Sequence, residues 1–223
     1  ANEAKRLRGE AIAHAGKAAL ELPKIWMRPL NEVSRMIVEV SGLDAANAAL
    51  QRGKGVVYLT PHLGCFEISA QYLSTQMPIT VLYRSPRQAW LEDLIKIGRT
   101  REHMHLAQAN LSGVRALFKA LKRGESVGLL PDQTPRAGEG LWLDFFGRPA
   151  YTMTLAARLA ESGAAVILVV AIRLPGSRGF RLHLSEPSTP ILGSTEACAQ
   201  AINQEMERLI RMCPAQYLWG YNR

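Results

Sequence analysis

The stretch TPHLGCFE places His62 and Glu67 five positions apart, with Gly64 between them. It follows the apolar run GVVYL and precedes ISAQYLS, where a buried strand gives way to a helix. On a continuous helix, residues five apart point about 140° away from each other. The two side chains meet only if the chain turns between them, and a glycine supplies that freedom. In such a turn, Glu67 is placed to accept the Nδ1 proton of His62 and leave Nε2 as a base facing a cleft. The same spacing also fits a glutamate in the first turn of a helix beside an incidental histidine.

Other residues carry weaker signals. Arg84 ends the apolar run ITVLYR, and Asp132 ends SVGLLPD, so both sit just beyond strands, where open α/β sheets place ligands. Arg99 and Arg101 lie in GRTR. Guanidinium groups hold phosphate in a fixed fork, which makes these arginines candidate phosphate contacts, with solvated surface charge as the alternative. Asp132 is read as orienting an arginine or a bound substrate, or as a turn residue after Pro131. GESVG at 124–128 matches a nucleophile elbow, but the order helix, Ser126, strand is the reverse of what an elbow needs. His103 and His105 alternate as strand neighbours do, yet no third metal ligand accompanies them. The expectation is no metal site and no cofactor. Trp142 with Leu141, Phe145 and Phe146 makes an apolar segment suited to a channel for an apolar ligand, a bilayer contact or the core.

The elements that must position these groups follow from periodicity. Runs of strand length (VVYLT, ITVLYR, SVGLLP, AVILVVAIRL, FRLHLSE) alternate with amphipathic helical runs. This predicts one α/β domain, a mostly parallel mixed sheet flanked by helices. An N-terminal helical part, about 1–52, would precede a catalytic core, about 53–223. Residues 4–22 read as a helix ended by Pro23, residues 30–40 as a second helix, and 131–148 as a long loop.

The chain has 223 residues, 48% of them hydrophobic and 21% charged, which suits one sizeable core rather than a disordered segment. Three scattered cysteines, Cys65, Cys198 and Cys213, form no C-x-x-C pair and read as free thiols. The longest apolar run, 164–172, is strand-sized and too short to cross a bilayer. The chain opens abruptly on ANEAKRLRGE and stops at GYNR, as a trimmed sequence does. A net charge of +8 calls for acidic partners: nucleic acid, anionic lipid or an acidic protein. The sequence contains no nucleic-acid motif and no basic run interleaved with aromatics, which speaks against nucleic acid.

Taken together, TPHLGCFE, YRSPRQAW, GRTR, GESVGLLPDQTP and LDFFGRPAYT resemble, in order and spacing, the bacterial lipid A late acyltransferases (the lauroyl/myristoyl family) of the glycerolipid acyltransferase superfamily. The resemblance runs from about residue 52 to the end. Glu67 and LPDQT, in place of the wider superfamily's Asp and Pro-Glu-Gly-Thr block, favour the lipid A branch. The resemblance implies acyl transfer from an acyl carrier protein thioester to a hydroxyl of a phosphorylated glycolipid, with no acyl-enzyme. In that scheme His62 is the base, Glu67 orients it, and Arg84, Arg99, Arg101 and Asp132 bind substrate. It also implies work at a membrane surface, on the cytoplasmic face of the inner membrane. The family's usual hydrophobic N-terminal segment is absent from these residues. A nearer alternative is another lipid acceptor, a phosphoglycolipid or an acylated aminolipid.

Overall fold

The computed structural model describes residues 2–86 and 88–220. Arg87 and residues 221–223, which fall within two of the quoted segments (YRSPRQAW and the C-terminal end), lie outside the described residues. The chain runs α1 (Asn2–Met27), α2 (Leu30–Ser34), β1 (Ile37–Ser41), α3 (Leu43–Gln51), β2 (Val56–Leu59), α4 (Phe66–Leu73), β3 (Ile79–Tyr83), α5 (Ala89–Arg99) and β4 (Met104–Gln108). It continues with α6 (Leu111–Lys122), β5 (Ser126–Leu129), β6 (Gly140–Phe145), β7 (Arg148–Met153), α7 (Leu155–Ala160), β8 (Ala165–Arg173), β9 (Phe180–Ser185) and α8 (Thr195–Met212).

Seven strands form one sheet in the order β1-β9-β8-β2-β5-β3-β4, mostly parallel, as the alternating pattern predicts. The exception is the antiparallel pairing of β8 with β9. Both faces of the sheet are covered, which is why its strands read as unbroken apolar runs. Side chains alternate across a strand. Val57 and Leu59 join one core with Leu117, Ala156, Ile202 and Met206 of α6, α7 and α8. Val56 and Tyr58 join the other with Ile25, Trp26, Ala46 and Ile68 of α1, α3 and α4.

Three local expectations are corrected. Residues 30–40 hold only the short α2 before β1, which pairs parallel with β9 as the sheet's edge strand. The β-branched run Ile37, Val38, Val40 favours a strand over helix continuation. Pro23 lies inside α1, which runs on to Met27. Burial of Ile25 and Trp26 in its last turn offsets the hydrogen bond the proline removes. The expected loop 131–148 is irregular only to residue 139, because β6 from Gly140 pairs antiparallel with β7 to form a separate two-stranded sheet. The helix that follows therefore starts only at Leu155.

Candidate active site

β2 and β5 are parallel neighbours in a register that sets Leu59 opposite Leu129. His62 and Asp132 each lie three residues beyond those partners, so the sheet delivers them level with one another at its C-terminal edge. Asp132 Oδ1 is 2.7 Å from His62 Nδ1, and Asp132 Oδ2 accepts the backbone N–H of His62 at 2.7 Å. Both side chains are buried. A carboxylate only accepts, so Nδ1 must carry the proton it donates, and Nε2 is left with its lone pair. The Gln133 side-chain nitrogen stands 3.0 Å from that Nε2. Phe66 meets the imidazole edge-on, with ring centroids 4.9 Å apart.

The position expected for Glu67 is therefore taken by Asp132, and the expectation that Asp132 orients an arginine or the acceptor is corrected with it. The reason is topological: adjacent parallel strands bring 62 and 132 together, whereas the turn at 63–65 carries Glu67 onto α4. Gly64 in that turn has φ +61°, and a Cβ there would lie 2.0 Å from the Ala171 carbonyl oxygen. The turn is pinned by Gly64 N–H to Gln216 O (3.0 Å), Cys65 N–H to Ala171 O (2.8 Å) and Leu218 N–H to His62 O (3.0 Å).

Glu67, buried in the first turn of α4, instead gathers the N-terminal helices. Its carboxylate accepts from Arg99 Nε (2.9 Å) and Arg99 Nη2, and from Trp26 Nε1 (3.1 Å). The guanidinium carbon also lies 5.7 Å from the centroid of the Trp26 ring. This two-pronged ion pair joins α1, α4 and α5. Arg101 is likewise committed. It donates to Gln71 Oε1 (2.7 Å) and to the carbonyls of Ile25 (3.2 Å), Trp26 (3.3 Å) and Arg28 (3.4 Å) at the end of α1. Burial pushes its pKa down from the usual arginine value. Arg101 is thus a strut for a helix end, a correction to its reading as a phosphate contact. Arg84 is exposed, follows β3 at the same sheet edge, and has no ion-pair partner among the described residues.

His62, Glu67, Arg84, Arg99 and Gln133 line one cavity of about 260 Å³. Its remaining wall is largely apolar and includes Leu73, Ile79, Val81, Met104 and Val169. Ser126 is buried in β5 with Oγ toward Met77 Sδ (3.2 Å), outside this lining, so GESVG forms no nucleophile elbow. No group of three potential metal ligands occurs among the described residues.

A family model described as bacterial lipid A biosynthesis acyltransferase matches residues 1–223. The chain belongs to that family. Similar members include the lipid A biosynthesis palmitoleoyltransferase of Escherichia coli K12, 26% identical over 225 residues that cover all of this chain and 72% of that protein. The lipid A biosynthesis lauroyltransferase of the same strain is 27% identical over 211 residues, 93% of this chain and 68% of that protein. The phosphatidylinositol mannoside acyltransferase of Mycobacterium tuberculosis is 27% identical over 216 residues, 93% of this chain and 66% of that protein. Within this lipid A acyltransferase, two site residues escaped sequence reasoning. Trp26 lies 41 positions from its partner Glu67 and leaves no local signal. Gln133 had one available signal, its place next to Asp132 beyond a strand.

Proposed function

We propose that the chain moves a fatty acyl group from an acyl carrier protein thioester to a hydroxyl of a lipid A precursor. The observation that carries the reading is the His62–Asp132 pair, with Nε2 of His62 turned to an apolar-walled cavity. The Gln133 amide marks the spot beside Nε2 that the acceptor hydroxyl has to reach. There the hydroxyl gives its proton to Nε2 as its oxygen attacks the thioester carbonyl carbon. Asp132 stabilises the imidazolium formed. Collapse breaks the C–S bond, and the leaving thiolate takes the proton from Nε2. The apolar wall suits the acyl chain, because hydrocarbon gains by leaving water. Arg84 at the rim suits an acceptor phosphate.

No acyl-enzyme is needed. Ser126 lies outside the cavity lining, and burial pushes the Cys65 thiol far up, away from the nucleophilic thiolate. Glu67 acts through Arg99 and Trp26 as a positioning residue for the cavity wall.

Among the described residues, no helix is long and apolar enough to cross a membrane. Exposed Trp90, Leu94 and Ile97 share one side of α5, whose Arg99 lines the cavity. Exposed Trp142 belongs to the β6–β7 hairpin, whose Met153 lines it too. Exposed aromatic and aliphatic groups on these two elements fit contact with the cytoplasmic face of the inner membrane.

The mannoside-acylating relative favours a second reading, in which the acceptor is another phosphoglycolipid. One experiment separates these readings. Purified protein is incubated with acyl carrier protein thioesters and each acceptor, and both lipid and quenched protein are read by mass spectrometry. Acylated lipid A precursor with unmodified protein is the expected result. Product only from the other glycolipid would move the assignment to it. An acyl group trapped on the protein would refute direct transfer.

A further inference from the structure

A second cavity, of about 910 Å³, lies between α1, β1 and the turn that joins β8 to β9. Lys17, Lys24, Arg35 and Arg178 line it. Among the described residues none of the four is in an ion pair, and the Arg178 Nε contact is the Pro175 carbonyl at 3.1 Å. The one carboxylate in the lining, Glu21, is held by Arg173 Nε at 2.7 and 2.8 Å. The groove therefore presents four cations with no counter-charge of their own. Between them sits apolar surface: Leu20 is 81% exposed and Val38 54% exposed, with Met36 beside them. His14 also lines the groove, and its buried Nδ1 lacks a hydrogen-bond partner. A buried polar atom without a partner is costly, so a group that supplies one is favoured.

We propose that this groove binds a phosphate-bearing amphiphile, distinct from the substrates at His62. An anion alone would leave Leu20 and Val38 in water, and a neutral lipid would leave four cations uncompensated. A molecule with both a phosphate and an acyl chain satisfies both parts. The groove also reaches the catalytic turn. Arg173, which holds Glu21, donates through Nη2 to the Gly64 carbonyl at 2.8 Å. Gln216, another groove residue, accepts the Gly64 N–H through its backbone carbonyl at 3.0 Å. Gly64 stands two residues from His62, so the groove and the base share a support.

The test is a binding titration, independent of turnover and so of the acyl-transfer reading. Dihexanoylphosphatidic acid, kept below its micellar concentration, and inorganic phosphate are each titrated into the full chain by calorimetry. Wild type and Lys54→Ala should bind the amphiphile alike, since exposed Lys54 lines neither cavity. Lys17→Glu/Arg178→Glu should weaken binding by about 10-fold or more for each lost cation. These side chains are exposed, so folding should survive, and Lys17→Gln/Arg178→Gln gives the same readout if charge reversal destabilises the chain. Phosphate should bind at least about 10-fold more weakly than the amphiphile, because burial of about 55 Å² of apolar surface already supplies that factor. Unchanged amphiphile binding in the charge variants would overturn the proposal. Phosphate binding as tight as the amphiphile would reduce the groove to an anion site and overturn it too.

Discussion

Replacing Asp132 with Asn changes one atom type in a fully buried side chain that makes two 2.7 Å contacts with His62. Asparagine offers one acceptor and one donor where aspartate offers two acceptors. If its oxygen stays on the His62 backbone N–H, its NH₂ faces Nδ1. Nδ1 must then accept, and the ring proton moves to Nε2, which removes the base. If the amide turns over, the tautomer survives but the backbone N–H faces a donor. In both cases the imidazolium loses its carboxylate. A hydrogen bond to a charged group contributes about 1.5–3 kcal/mol, or about 10- to 150-fold in rate. Tautomer inversion in a Ser-His-Asp triad costs about 10⁴ in kcat. Asp132→Asn should therefore lower kcat by about 10- to 10⁴-fold with little change in KM. The assay is steady-state acyl transfer by the purified variant, with circular dichroism and a thermal melt to confirm the fold. A folded Asp132→Asn protein with kcat within about 3-fold of wild type would rule out this role for Asp132, since loss of even one charged hydrogen bond costs about 10-fold.

Gly64→Ala must place a Cβ 2.0 Å from the Ala171 carbonyl oxygen at a positive φ. It should cost about 3 kcal/mol or more and lower Tm by about 6–12 °C, and an unchanged melt would contradict the packing described. Glu67→Ala strands Arg99, so it should cripple transfer and destabilise the chain. The Glu67→Ala/Arg99→Ala double variant should be little worse than either single, and additive losses in kinetics and melts would refute a coupled pair. Arg84→Ala should weaken use of a phosphorylated acceptor by about 10-fold or more, with a smaller loss on its dephosphorylated form and partial rescue by Arg84→Lys. Arg101→Ala should lower Tm without separating the two acceptors. Equal losses on both lipids for Arg84→Ala would show that it does not read phosphate.

The sequence made the sheet legible because its strands are short apolar runs bounded by glycine and proline, and helical periodicity filled the gaps. It hid β1, since a five-residue edge strand after a short helix reads as more helix. The location of the site was legible for the same reason: His62, Arg84 and Asp132 each end a strand. The pairing inside it was not. Spacing along the chain pointed from His62 to Glu67, but which strand end stands beside which depends on strand order. Nothing in GVVYL or SVGLL states that β2 and β5 are neighbours. Glu67 likewise drew its partners from α1 and α5, across 41 and 32 residues. Arg101 looked like surface charge or a phosphate contact because its carbonyl partners belong to the end of α1, which sequence reasoning stopped at Pro23.

The proposed mechanism requires Asp132 to hold His62 with the proton on Nδ1, so that Nε2 receives the acceptor's proton. Two-bond proton–nitrogen correlation NMR on protein with ¹⁵N-labelled histidine, recorded on the neutral imidazole and assigned by comparison with His62→Ala, reads this tautomer directly. A protonated Nδ1 and an unprotonated Nε2 are expected, with inversion in Asp132→Asn if its NH₂ faces the ring. A neutral His62 with its proton on Nε2 in the wild-type protein would contradict the mechanism.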